Sequence, residues 1–119
     1  VQLIVSVPTP RYRLAGKADL PALARIYGDT VRVLGPALYT PAQVAAWAAY
    51  AEEDEAFGAF ILGARTQVAV MDGVPAGFCG VQADGRVASL YVDAAHTRRG
   101  LGGALLERAL EDARATWGL

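Results

Sequence analysis

The sequence predicts an α/β chain of the α+β kind, in which a mixed, largely antiparallel sheet is flanked by helices. Three observations carry this. Two tight-turn dipeptides, Asp72-Gly73 and Asp84-Gly85, divide the stretch from Thr66 to Val92 into three short apolar runs. Two helical patterns precede that stretch, and a third follows it directly. Runs of strands bounded by helices, rather than strict strand-helix alternation, point to a meander covered by helices.

A length of 119 residues with 54% hydrophobic and 19% charged residues describes one folded domain with a modest core and excludes disorder. The net charge of −1 excludes a nucleic-acid binder that depends on a broadly basic surface. The single cysteine, Cys79, excludes an internal disulfide and a cysteine-rich metal site, and fits a reducing cytoplasm. No apolar stretch reaches the ~18 residues needed to span a membrane, and the opening VQLIVSV lacks a basic leader.

Residues 1–10 read as an extra strand or arm ended by Pro8-Thr9-Pro10, and the domain proper occupies 11–119. Tyr12 to Leu14 is a short strand before a turn at Gly16. Asp19 then caps a helix with Pro21 in its first turn and Leu20, Leu23, Tyr27, Thr30 and Val31 on one face. Gly35-Pro36 ends it. Thr40-Pro41-Ala42-Gln43 opens the next helix with a capping-box pattern, and Val44, Trp47, Ala48 and Ala51 form its buried stripe. The acidic run Glu52-Glu53-Asp54-Glu55 reads as a solvated helix end or, alternatively, as an attractant for a cationic amine.

The meander comprises Gln67 to Met71, Pro75 to Gln82 and Arg86 to Val92, with Gly77 and Gly80 marking a bulge or close packing in its middle strand. Cys79 there reads as a small buried apolar residue. In the last strand Val87, Ser89 and Tyr91 face one side and Ala88, Leu90 and Val92 the other, which suits a central, covered strand. The final helix places Leu106, Ala109, Leu110, Ala113 and Trp117 on one face and Glu107, Arg108, Glu111 and Arg114 opposite.

Between that strand and helix lies Thr97-Arg98-Arg99-Gly100-Leu101-Gly102-Gly103. Unencumbered amides at a helix start, the helix dipole and two guanidinium groups make this an anion site suited to a pyrophosphate. The alternative is that the glycines only permit a sharp turn and the arginines only solubilise it. A Walker loop requires Lys-Ser/Thr where Gly103-Ala104 stands, and a dinucleotide fingerprint requires a small residue where Leu105 stands.

The run from Leu90 to Leu106, with its strand and helix, resembles the acetyl-CoA-binding motif Q/R-x-x-G-x-G/A of the GCN5-related N-acetyltransferases. Two positions depart from that pattern: Thr97 replaces Gln or Arg, and Ala94 replaces a frequent Pro. The resemblance covers 11–119 but only about the first two thirds of that fold. A fifth strand, fourth helix and two further strands are expected beyond it, and the Val1 to Val7 arm of the same chain or a dimer mate is one candidate to cover the edge that the fifth strand would occupy.

The resemblance implies acetyl transfer from acetyl-CoA, as co-substrate and without a metal, to the primary amine of a small molecule, by direct attack in a ternary complex. It implies that Leu90, Tyr91 and Val92 pair with pantetheine, and that Thr97, Arg98, Arg99, Gly100, Leu101, Gly102, Gly103 and Ala104 cradle the pyrophosphate. Tyr39, Trp47 and Tyr50 become candidate walls of the acceptor pocket, with Trp47 and Tyr50 equally readable as core. No catalytic residue is assigned; Asp93 and His96 adjoin the motif beside the phosphates. The alternatives are a non-catalytic CoA-binding or regulatory domain, or a remnant that dimerises without a ligand.

Overall fold

The computed structural model describes residues 9–97 and 100–118; residues 1–8 of the expected arm, together with Arg98 and Arg99, lie outside these. The chain runs β1 (Arg11–Leu14), α1 (Leu20–Leu34), α2 (Pro41–Ala49), α3 (Asp54–Leu62), β2 (Arg65–Met71), β3 (Val74–Val81), β4 (Val87–Val92) and α4 (Leu101–Trp117). The sheet order is β1-β2-β3-β4 and every pairing is antiparallel.

Antiparallel hairpins follow from the turns. Asp72 and Gly73 both take positive φ (51° and 78°), the backbone that joins β2 to β3 in two residues. Side chains alternate across the sheet, so Val68, Phe78 and Tyr91 face α1 and α3 while Ala69, Cys79 and Val81 face α4. One apolar cluster forms on each face. In the first, Leu23, Ile26, Tyr27 and Val31 of α1 meet Phe57 and Ile61 of α3 over Val68 and Phe78. In the second, Leu101, Leu105, Ala109 and Ala113 lay α4 on β2 and β3. A bidentate pair, Arg65 Nε and Nη2 on the Asp112 carboxylate at 2.8 and 3.1 Å, ties β2 to α4.

Several expectations are corrected. Asp19 does not cap α1: its carboxylate accepts from the Gly16 amide at 2.7 Å and holds Arg13 at 2.6 and 2.7 Å. A tight turn at Lys17–Asp19 runs straight into α1, so Asp19 is already helical and its side chain points backwards. Helix α3 was unforeseen. The acidic run belongs largely to its start, with Asp54 and Glu55 in the first turn, where the helix dipole favours carboxylates.

Trp47 lies off the buried stripe of α2 and is 37% exposed. The buried line of α4 runs through Leu101 and Leu105 to Ala109 and Ala113, with Leu106 and Leu110 half-buried beside it and Trp117 exposed. Among the described strands β4 pairs with β3 alone. Tyr91 packs against the α1 and α3 cluster and Val92 against the α4 cluster, while Val87 and Leu90 stay exposed.

Other expectations hold. Thr40 and Gln43 form the reciprocal capping box, with the Gln43 amide donating to Thr40 Oγ1 at 3.2 Å and the Thr40 amide to Gln43 Oε1 at 2.9 Å. Thr40→Ala should cost about 1 kcal/mol, or roughly 4 °C in Tm for a chain of this size; an unchanged melting temperature would show the cap to be idle. Bulges break the register at Ala76 and Ala88, beside Gly77 and Gly80. Cys79 is fully buried, and burial pushes its thiol up to about 11.

Burial also pushes the Tyr27 hydroxyl up to about 12. Both groups ionise more readily in the unfolded chain, near 9 and 10, than in the folded one. Their contribution to stability is therefore complete below about pH 9 and is lost as pH rises through 11 to 12. Urea midpoints should fall across that window, with Cys79 contributing a slope of about 1.4 kcal/mol per pH unit. Cys79→Ala should make the decline shallower between pH 9 and 11; an identical slope would remove the thiol from this account.

Candidate acyl-CoA site

The site is built where β4 gives way to α4. The Asp93 amide donates to Ala76 O at 2.8 Å, and Tyr91 pairs with Phe78. By the alternation of an antiparallel ladder, the backbone groups of Tyr91 go to β3 and those of Leu90 and Val92 point outward from the sheet edge. The Val92 carbonyl accepts a long bond from Thr30 Oγ1 of α1 at 3.5 Å. Among the described residues no strand takes up the Leu90 and Val92 amides. Of the three residues expected to pair with pantetheine, Leu90 and Val92 thus present backbone groups, whereas Tyr91 presents only its ring, to α1 and α2.

Beyond β4 a short turn, Ala94–His96, leads to the glycine segment. The Thr97 hydroxyl donates to Ala94 O at 3.0 Å, so it closes this turn. His96 Nδ1 is buried and lies 3.7 Å from Asp93 Oδ2, with no hydrogen-bond partner among the described residues. Gly100 is the N-cap of α4 with φ 74°, a left-handed conformation that glycine adopts without steric penalty. The Ala104 amide donates to Gly100 O at 3.1 Å, which commits it to the helix and removes it from the expected phosphate cradle. The amides of Leu101, Gly102 and Gly103 have no acceptor among the described residues, as the first turn of a helix dictates.

The glycines differ in their reasons. A Cβ at Gly102 would touch Val92 Cγ2 at 3.6 Å, an ordinary contact, and one at Gly103 would have nothing within 4 Å among the described residues. Neither position is glycine for internal packing, although each costs its helix up to about 1 kcal/mol relative to Ala. Leu101 does the opposite work: its buried side chain anchors the turn to the α4 cluster. What remains is a helix start where Gly102 and Gly103 carry no side chain and a Cβ at either would make no close contact among the described residues. That leaves room for a bulky anion, and the residues present fit a pyrophosphate group.

On the other face of β4, Tyr91 stacks on Phe78 with centroids 5.2 Å apart and meets Tyr27 at 4.9 Å. Burial, the larger influence, raises both tyrosines and keeps them protonated at neutral pH, against the opposing pull of Trp47. Tyr39 stands edge to face with Trp47 at 5.6 Å. Tyr50 does not join them. It packs among Tyr27, Phe57 and Phe60, and its hydroxyl donates to Ala56 O at 3.2 Å, so it is a core residue. Sequence reading missed Tyr27 as a neighbour of the site; its position opposite Tyr91 depends on the crossing of α1 over the sheet, which local periodicity does not encode.

No helix among the described residues is long and apolar enough to cross a membrane. The sequence matches no curated protein. Solved structures are similar to it. A GCN5-related N-acetyltransferase from Rhodopseudomonas palustris shares 28% identity at a TM-score of 0.84, over 98% of this chain and 71% of that one. The PaiA N-acetyltransferase of Thermoplasma acidophilum, solved with coenzyme A, shares the fold at 16% identity and a TM-score of 0.79, over 91% and 74%. YncA of Salmonella typhimurium, a putative acetyltransferase solved with acetyl-CoA, gives 27% and 0.56, over 90% and 64%. A family model described as an acetyltransferase (GNAT) domain matches residues 37–117, from the start of the α2 region to the last residue of α4. With the strand edge and glycine-lined helix start in place on that fold, the chain belongs to the GNAT acetyltransferase family.

Proposed function

We propose that this chain binds acetyl-CoA and transfers its acetyl group to the primary amine of a small molecule by direct attack within a ternary complex. One observation carries the reading: the backbone of Leu90 and Val92, on a strand edge that no further described strand pairs, runs within a few residues into a helix start whose first amides have no acceptor among the described residues. The coenzyme A and acetyl-CoA complexes of structurally similar proteins support it.

In this reading the first-turn amides of Leu101, Gly102 and Gly103 hold the pyrophosphate, with Arg98 and Arg99 supplying charge from the adjoining turn. The outward groups of Leu90 and Val92 pair with the pantetheine arm, and a fixed N–H from this edge polarises the acetyl carbonyl. Acetyl-CoA supplies an acyl group already activated as a thioester. The only cysteine is buried, with its thiol pushed up to about 11, so it is unsuited to carry the acetyl group covalently. That favours direct attack over a relay through the protein.

Calorimetric titration of acetyl-CoA, followed by thiol-release assays across an amine panel, tests this. Leu90→Pro deletes one outward N–H without removing a ladder bond; turnover should fall at least tenfold in that variant. Initial-rate lines that intersect support the ternary complex, whereas parallel lines would overturn it. Acetyl-CoA binding without thiol release from any amine would favour the non-catalytic CoA-binding alternative, and no binding would sink both.

A further inference from the structure

Eight of the chain's ten Phe, Tyr and Trp rings divide into two groups. Tyr27, Phe57 and Phe78 are buried and, with Tyr50, Phe60 and Tyr91, pack on one another, whereas Tyr39 and Trp47 lie edge to face at the surface, 47% and 37% exposed. The exposed pair is not isolated. At one end α2 packs on α1, whose Tyr27 meets Tyr91 at 4.9 Å on β4, the strand whose edge is assigned above to the acyl donor. At the other, Tyr39 opens onto an apolar groove along α2 lined by Pro36, Pro41, Val44 and Ala48.

Charge separates this groove from the other hollows of the molecule. The charged side chain on its wall is Arg32, which sits 3.4 Å from Asp29 on α1. The acidic residues expected to attract an amine are elsewhere: Asp54 and Glu55 rim a different hollow between α1 and α3, beside Lys17, Leu20 and Phe57. Among the described residues no carboxylate lines the groove. A polyamine entering it would desolvate several ammonium groups with no counter-charge and with Arg32 nearby. An apolar tail would cover two exposed rings, and the same low polarity favours the neutral, nucleophilic form of its amine.

We propose that the acceptor is a monoamine with an aromatic or apolar tail, the tail seated against Tyr39 and Trp47 and the amine directed past Trp47 towards Tyr91 and β4. This rests on the acyltransferase reading above. Tyr39 and Trp47 then determine specificity, and the acidic run plays no part in acceptor choice.

The test uses the ¹⁵N-labelled 119-residue chain and the indole N–H resonance of Trp47, distinguished from that of Trp117 by Trp117→Phe. Titration with 2-phenylethylamine should give a saturable shift of the Trp47 signal, and spermidine should bind at least tenfold more weakly. Tyr39→Ser, at an exposed position on which folding does not depend, should weaken 2-phenylethylamine at least fivefold. Equal or tighter binding of spermidine overturns the proposal, as does a Trp47 shift that follows protein concentration rather than amine, which would mark a contact between copies. Coenzyme A, titrated in parallel, is read at the amides of Gly100 to Gly103. Shifts there with Trp47 silent to 2-phenylethylamine would overturn the acceptor assignment alone; silence at both would overturn it together with the acyltransferase reading.

Discussion

Gly103→Asp is expected to abolish coenzyme A binding, by at least a hundredfold in affinity, while the melting temperature stays level or rises. The two halves of that expectation have separate causes. Gly103 is the third residue of α4, and a Cβ there meets nothing within 4 Å among the described residues, so the substitution creates no clash. Replacing an early helical glycine by aspartate regains only ~0.3 kcal/mol of helix propensity, and a carboxylate in the first turn is favoured by the helix dipole by a further ~0.3–1 kcal/mol. The same carboxylate stands at the helix start assigned to the pyrophosphate, where it fills space and repels negative charge. A hundredfold loss corresponds to about 2.7 kcal/mol, a modest demand on two like charges with little water between them. Gly100→Ala provides the contrast, since φ 74° makes that residue a conformational requirement and its replacement should lower stability by about 1 kcal/mol. Calorimetry and thermal melts on both variants decide the matter. A Gly103→Asp protein that melts early, or that binds coenzyme A as the unmodified chain does, would show this glycine to be structural and the phosphate assignment wrong.

The asymmetry between those glycines explains what could be read from the sequence. Local chemistry was legible: Asp72-Gly73 dictated a hairpin, Thr40 and Gln43 a capping box, and the glycine segment a helix start, because each depends on residues within four positions of one another. Which amides stay uncommitted depends on pairing, which was legible only through the resemblance, whose fifth strand would occupy the far edge of β4. The apolar residues on both faces of β4 predicted a central strand; helices α1 and α4 cover Tyr91 and Val92, Val87 and Leu90 stay exposed, and the edge stays open among the described strands. The open edge is what makes Leu90 and Val92 available and removes Tyr91. Aromatic residues divided for a similar reason. Trp47 and Tyr50 are three residues apart and looked equivalent, yet the chain tightens after Ala49 and turns Tyr50 into the ring cluster around Tyr27 while Trp47 stays at the surface. Helix α3 escaped notice because an acidic run suits either end of a reading: the tail of a solvated helix or the dipole-favoured start of the next.

The second large effect joins the fold to the site through Gly77 and Leu105. A Cβ at Gly77 would lie 2.9 Å from the Tyr91 carbonyl oxygen, 3.3 Å from Leu105 Cδ2 and 3.4 Å from Val92 Cα. Two of those neighbours are the backbone of β4, the strand that carries the candidate donor edge. Leu105 is fully buried between α4 and the sheet, so Leu105→Ala alone should cost about 2–5 kcal/mol from lost burial and the cavity left behind. Gly77→Ala alone should cost about 1–3 kcal/mol by overpacking, because the added methyl must push either Leu105 or β4 aside. In the double variant the methyl enters the space that Leu105 vacates, and the total should fall short of the sum by about 1 kcal/mol. The relief is incomplete because the Tyr91 carbonyl is backbone and cannot be trimmed away. A residual displacement of β4 therefore persists, and coenzyme A affinity should stay reduced even where urea titration shows part of the stability recovered. Strict additivity would mean that Gly77 and Leu105 do not share that space. Full recovery of affinity in the double variant would mean that the position of β4 is indifferent to Gly77, and that the donor edge is set elsewhere.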